Sequence, residues 1–87
     1  MRKIELEKLL TRRLKLETPR FKLQKFSNKL CGSVISDSFK RKGDHIRQKM
    51  IWDALNDEFG PESIHRVGTL LAYTNDEWDV DLPAKAG

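Results

Sequence analysis

In the stretch RFKLQKFSNKLCGSVIS, residues 20–36, apolar and polar side chains alternate on either side of a short polar break. Phe21, Lys22, Leu23 and Gln24 follow the period of two that half-buries a strand, which predicts a first strand from Arg20 to about Phe26. Ser27, Asn28 and Lys29 supply turn chemistry. Leu30 to Ser36 then resumes extended character, with the β-branched Val34 and Ile35 at its end, so the pair reads as a hairpin.

Upstream of the hairpin, Leu6, Leu9, Leu10 and Leu14 recur on one side of a helix spanning residues 2–16, with Arg2, Lys3, Lys8, Arg12 and Lys15 around the rest. Pro19 is expected to push Thr18 towards extended geometry and so to close that helix. Downstream, DSFKRKG (residues 37–43) is a charged loop whose glycine can turn the chain. Asp44 is a good helix N-cap, and Ile46, Met50, Ala54 and Leu55 follow at helical spacing, widened by Ile51 and Phe59, before Gly60 stops the helix. Pro61 suits the first turn of a short helix lasting to about Arg66. Val67 to Tyr73 alternates again as a third strand, with Val67, Thr69, Leu71 and Tyr73 on one face and Gly68, Leu70 and Ala72 on the other.

The order helix, strand, strand, helix, helix, strand predicts an α+β fold of αββααβ topology. A hairpin followed by a helical return makes a three-stranded mixed sheet with its helices packed on one face. One domain over residues 1–80 is expected, with 81–87 as a frayed tail.

Composition agrees with a small globular body. The 87 residues leave room for one modest core, and 38% hydrophobic against 34% charged residues suits a chain that folds and stays monomeric. A single cysteine, Cys31, rules out an internal disulfide and points to a reducing compartment. MRKIELEKLLTRRLK interleaves charge with leucine and lacks the apolar run of a signal peptide, so a cytoplasmic location, or an organelle matrix, is expected.

The net charge of +4 conceals a strong polarity: residues 1–50 hold 15 Lys and Arg against 5 acids, and residues 51–87 hold 2 against 8. A basic side of this kind can face nucleic acid or an acidic protein, or be solvated helix surface. Five cations, Lys40, Arg41, Lys42, Arg47 and Lys49, gather around one loop and the helix start after it, forming the best candidate surface for a partner or a nucleic acid. No Gly-x-x-Gly loop for gripping single strands is present, and no catalytic triad, phosphate cradle or paired-carboxylate motif stands out, so binding is expected rather than catalysis. Trp52 and Trp78 read as packing residues rather than base-stacking platforms.

The pieces VISDSF (34–39), RQKMIWDAL (47–55), IHRV (64–67) and AYTNDEW (72–78), in this order, resemble the BolA family. The resemblance covers most of the chain and rests on a strand ending in Ser36 with Phe39 three residues on, a basic start to the second long helix, and a Tyr-Thr-x-x-Glu-Trp ending. From His65 to Tyr73 the chain is one residue longer than the family pattern.

That resemblance implies a fold similar to class II KH domains. It also implies a role either as the partner of a monothiol glutaredoxin, sharing a [2Fe-2S] cluster in iron–sulfur handling, redox regulation or stress response, or as a DNA-binding transcription regulator. The matching ligand is His65, at the end of the short helix before the last strand. Alone, such a histidine would read as structural or merely exposed, as His45 does. Cys31 is a weaker second ligand, its alternative being a small hydrophobe of the sheet. One Cys and one His cannot close a four-ligand site, so no cluster is expected in the isolated chain. Under this reading His65 lies beside the basic corner, with Lys42, Arg47 and Lys49 docking the glutaredoxin. Under the alternative, Lys40 to Lys49 face double-stranded DNA.

Overall fold

The structure is a computed structural model and describes residues 1–80; the tail read as frayed, 81–87, lies outside the described residues. Helix α1 (Lys3–Leu14) is followed by strands β1 (Arg20–Phe26) and β2 (Lys29–Ile35), a 3-10 turn at Asp37–Phe39 and helix α2 (Asp44–Phe59). A second 3-10 turn at Gly60–Glu62 leads into α3 (Ser63–Arg66), β3 (Val67–Tyr73) and α4 (Asn75–Val80). The sheet order is β1-β2-β3, with β1 antiparallel and β3 parallel to the central β2. This is the expected α+β architecture with a mixed three-stranded sheet. No helix among the described residues is long and apolar enough to cross a membrane.

Ser27 and Asn28 both adopt positive φ, 52° and 67°, and make a two-residue hairpin turn between the paired Phe26 and Lys29. Both central residues at positive φ match the strand twist, as in a type I′ turn. One face of the sheet meets α1 and α2, and α4 reaches the other. Leu6, Leu9 and Leu10 of α1, Leu30 and Val34 of β2, Ile51, Ala54 and Leu55 of α2, and Val67, Leu70 and Ala72 of β3 close the core around the fully buried Phe39.

Three details differ from the periodicity. In α2 the buried residue of the first turn is Arg47, while Ile46 is 47% exposed. The inward line runs through residues 47, 51, 54 and 55, one position away from the apolar count begun at Ile46. Thr18 has φ 36° rather than extended geometry. The connector there is tied to the end of β2, because Glu17 N–H donates to Ser38 Oγ (2.9 Å) and Ser36 Oγ donates to the Glu17 carbonyl (2.9 Å).

The third difference is in β3. Leu30 pairs with Val67 and Gly32 pairs with Leu70, so β3 spends one residue more than β2 over that interval. This β-bulge flips the alternation, so that Val67 shares its face with Leu70 and Ala72 instead of Thr69 and Leu71. Two glycines stand at the bulge, each where a side chain would collide. A Cβ on Gly68 would stand 2.6 Å from Cys31 Sγ, and one on Gly32, at φ +145°, would stand 1.9 Å from the Lys22 carbonyl oxygen.

A fourth helix, α4, extends the αββααβ order. Thr74 and Glu77 form a reciprocal capping box at its start: Thr74 N–H donates to Glu77 Oε1 (2.8 Å) and Glu77 N–H to Thr74 Oγ1 (3.2 Å). Trp78 returns edge-on to Tyr73, with ring centroids 5.3 Å apart. Tyr73 is paired with the fully buried Ile35, and both lie on the sheet face opposite Val34 and Ala72.

Candidate functional site

The two ligand candidates, His65 and Cys31, fall at one end of the sheet. His65 is exposed in α3, two residues before the Val67–Leu30 pairing that starts the parallel ladder. Cys31 follows Leu30 on β2, half-buried, its sulfur over Gly68 and 3.9 Å from the Lys29 carbonyl oxygen. Helix α3 is fixed from beneath by the fully buried Ser63, whose hydroxyl donates to Asn56 Oδ1 at 2.6 Å. Its neighbours project outward: Ile64 is 57% exposed, and Phe26, at the hairpin turn of the same sheet end, is 70% exposed. An imidazole, a thiol and two large apolar side chains therefore share one end of the molecule. The two side chains supply at most two of four ligands, and among the described residues no group of three or more His, Cys, Asp or Glu could hold a metal.

The basic segment lies elsewhere. Arg47 Nη1 donates to the Ala72 carbonyl at 3.1 Å, which places the start of α2 at the C-terminal end of β3, whereas His65 precedes its N-terminal end. Five residue steps of strand lead from Val67 to Ala72, on the order of 15 Å. The expected juxtaposition of His65 with the basic corner is thus corrected: a strand rising through the molecule carries the chain from one to the other.

The corner is also weaker than its sequence suggests. Arg47, expected on the docking surface, is only 6% exposed. Its Nε donates to the Lys42 carbonyl (2.6 Å), its Nη1 and Nη2 hold the Glu77 carboxylate (2.6 and 3.1 Å), and the guanidinium lies 5.9 Å from the Phe39 ring centroid. This fork holds the Glu77 carboxyl far below its ordinary 4.5, at about 2, with help from the Thr74 N–H. Lys49 pairs with Asp53 at 2.9 Å and Lys40 with Asp37 at 3.6 Å. Lys42 Nζ donates to the Ser38 carbonyl at 3.4 Å, and Arg41 is exposed at φ 64°. Asp37 is itself held below the carboxylate range, first by the Asn75 N–H on its Oδ1 (3.0 Å).

Sequence reading missed the anchoring role of Glu77. The signal was present as Thr74-x-x-Glu77, a capping-box spacing that announces a helix start. It also missed the exposure of Ile64 and Phe26, since periodicity assigns a face without saying whether anything covers it.

Solved structures of similar fold include the following two. A crystal structure of a bol-like protein from Babesia bovis superposes with a TM-score of 0.61 over 92% of this chain and 92% of that one, at 18% identity. The BolA domain of SufE1 from Arabidopsis thaliana superposes with a TM-score of 0.59 over 85% of this chain and 92% of that one, also at 18% identity. No protein-family model matches the sequence, and no curated protein matches it. At this identity the likeness is one of fold, and the chain has the BolA-like fold.

Proposed function

We propose that this protein is a non-enzymatic adaptor that binds a monothiol glutaredoxin and, with it, holds a [2Fe-2S] cluster to which His65 contributes a ligand. The observation that carries this reading is the composition of one end of the sheet, where an exposed imidazole follows the exposed Ile64 in α3, and the exposed Phe26 and the Cys31 thiol lie on the strands that end there. Apolar side chains left in water beside a ligand-type residue suit an interface whose remaining ligands come from a second protein. A neutral imidazole can coordinate iron through one nitrogen, and a cluster so held supplies electron transfer or cluster delivery. Cys31 has a lesser claim, because its sulfur is packed over Gly68.

The alternative, DNA binding through Lys40 to Lys49, has less behind it. Arg47 is neutralised internally and Lys40 and Lys49 face carboxylates, so few phosphates could be neutralised there.

The test is reconstitution of the protein with a monothiol glutaredoxin, iron and sulfide without oxygen. A heterocomplex with visible absorption that His65→Ala alters or abolishes supports the reading. No complex, or a complex and spectrum indifferent to His65→Ala, overturns it.

A further inference from the structure

The two edges of the sheet are treated differently. On β3 two carbonyls are taken by side chains of α2: Gln48 Nε2 donates to that of Leu70 at 2.7 Å and Arg47 Nη1 to that of Ala72 at 3.1 Å. On β1 the situation is the reverse. The two-residue turn makes Phe26 and Lys29 a hydrogen-bonded pair, and the antiparallel register alternates from there. Phe21, Leu23 and Lys25 therefore direct their N–H and C=O groups away from β2. Among the described residues no side chain or turn takes them.

Alongside this edge runs a groove between α1 and β1 of about 450 Å³, with Ile4, Thr11, Pro19 and Phe21 among its lining, and Ile4 is 49% exposed. The strand itself, RFKLQKF, has three cations and no acid, and Lys8 and Arg12 stand across the groove with Glu7. Arg20 is engaged by Asn75 and Asp79, while Lys8, Lys22 and Lys25 have no carboxylate partner among the described residues.

We infer that β1 is a docking edge for an acidic, extended peptide segment of a partner protein, which adds as a fourth strand and seats alternate apolar side chains in the α1–β1 groove. The free backbone edge selects a peptide, because only another strand offers donors and acceptors at the matching repeat. The charge selects its composition. A second copy of this chain pairing β1 to β1 would set Arg20, Lys22 and Lys25 against their own kind, and like charges across a strand pair are destabilising. This edge meets the His65 end at Phe26, but its test reads the backbone amides of β1 and involves neither His65 nor a glutaredoxin, so its failure would leave the glutaredoxin reading untouched.

The experiment is titration of the isotope-labelled full chain with a blocked peptide alternating Glu and Val, followed by amide hydrogen exchange. The expected result is protection of the Phe21, Leu23 and Lys25 amides by about tenfold, with the inward amides of Lys22 and Gln24 unchanged. Lys25→Pro removes one outward donor without removing a bond to β2 and should weaken binding severalfold. Lys22→Glu/Lys25→Glu, which leaves the backbone intact, should abolish it even if the proline variant fails to fold. Absence of protection at these three amides, or undiminished binding by the charge-reversed variant, overturns the inference. So does preferential occupation of the edge by an oligothymidylate run in parallel.

Discussion

Arg47 and Glu77, thirty positions apart, form a two-bond fork that fastens the first turn of α2 to the first turn of α4. Arg47 is nearly buried while the Glu77 side chain remains 45% exposed. The guanidinium also binds the carbonyls of Lys42 and Ala72, so one side chain ties the charged loop, the end of β3 and the last helix together. Desolvating the cation is offset by the carboxylate and by these two carbonyls.

Removing either partner should therefore have unequal effects. Arg47→Ala leaves two carbonyls without their donor and Glu77 without its cation, and should cost about 2–4 kcal/mol, the exposed carboxylate being able to rehydrate. Glu77→Gln leaves a cation that is mostly buried but still bonded to carbonyls, and should cost about 1–2 kcal/mol. Arg47→Lys should fall near the alanine variant, since an ammonium cannot make the fork. Urea denaturation of the variants checks the order, and an Arg47→Ala protein as stable as the parent would contradict it.

Acid should act through the same group. Glu77 has a folded-state pKa lowered from 4.5 to about 2, so its contribution is complete above the unfolded value and is lost as pH falls through the folded one. Asp37 is shifted in the same direction and adds to the trend. Thermal midpoints should hold steady from neutrality down to about pH 5 and fall from there towards pH 2. In Glu77→Gln the decline should be shallower. Parallel melting curves with equal slopes against pH would show that Glu77 is not the group responsible.

Much of this architecture was legible in residues 20–36 and 67–73, because strand alternation and turn chemistry are local properties. Both ends of β1 and β3 were readable from sequence. The phase of β3 was not: a bulge is decided by what lies opposite, here Gly32 and Cys31 on β2, and single-sequence periodicity carries no cross-strand term. The burial of Arg47 was hidden for a similar reason, since a cation reads as exposed until a partner thirty positions away is known to reach it. His65 could be named only through a family resemblance. Its distance from the basic loop required the parallel register.

The bulge can be tested by its glycines. Gly68→Ala puts a methyl into the space of Cys31 Sγ and should cost about 1–3 kcal/mol. Combining it with Cys31→Ala should recover a good part of that loss, a positive coupling in a double-mutant cycle. Gly32→Ala meets backbone, the Lys22 carbonyl, and has no such rescue. It should unfold the hairpin, seen as collapse of amide dispersion. Additive Gly68 and Cys31 effects would mean that the sulfur does not set the glycine requirement.

Because the two candidate surfaces lie at opposite ends of β3, partner binding can be assigned to one of them. Ile64→Asp and Phe26→Asp change side chains that are 57% and 70% exposed, so stability should move by no more than about 0.5 kcal/mol. If the His65 end is the interface, each should weaken glutaredoxin binding about tenfold or more, as expected for apolar anchors at the centre of a contact. Lys40→Glu and Lys49→Glu should leave affinity nearly unchanged and alter only its salt dependence, since these charges are exposed and already paired. Calorimetric titration of the four variants decides the matter: a loss confined to the lysine variants would move the interface to the start of α2 and leave His65 without a role in docking.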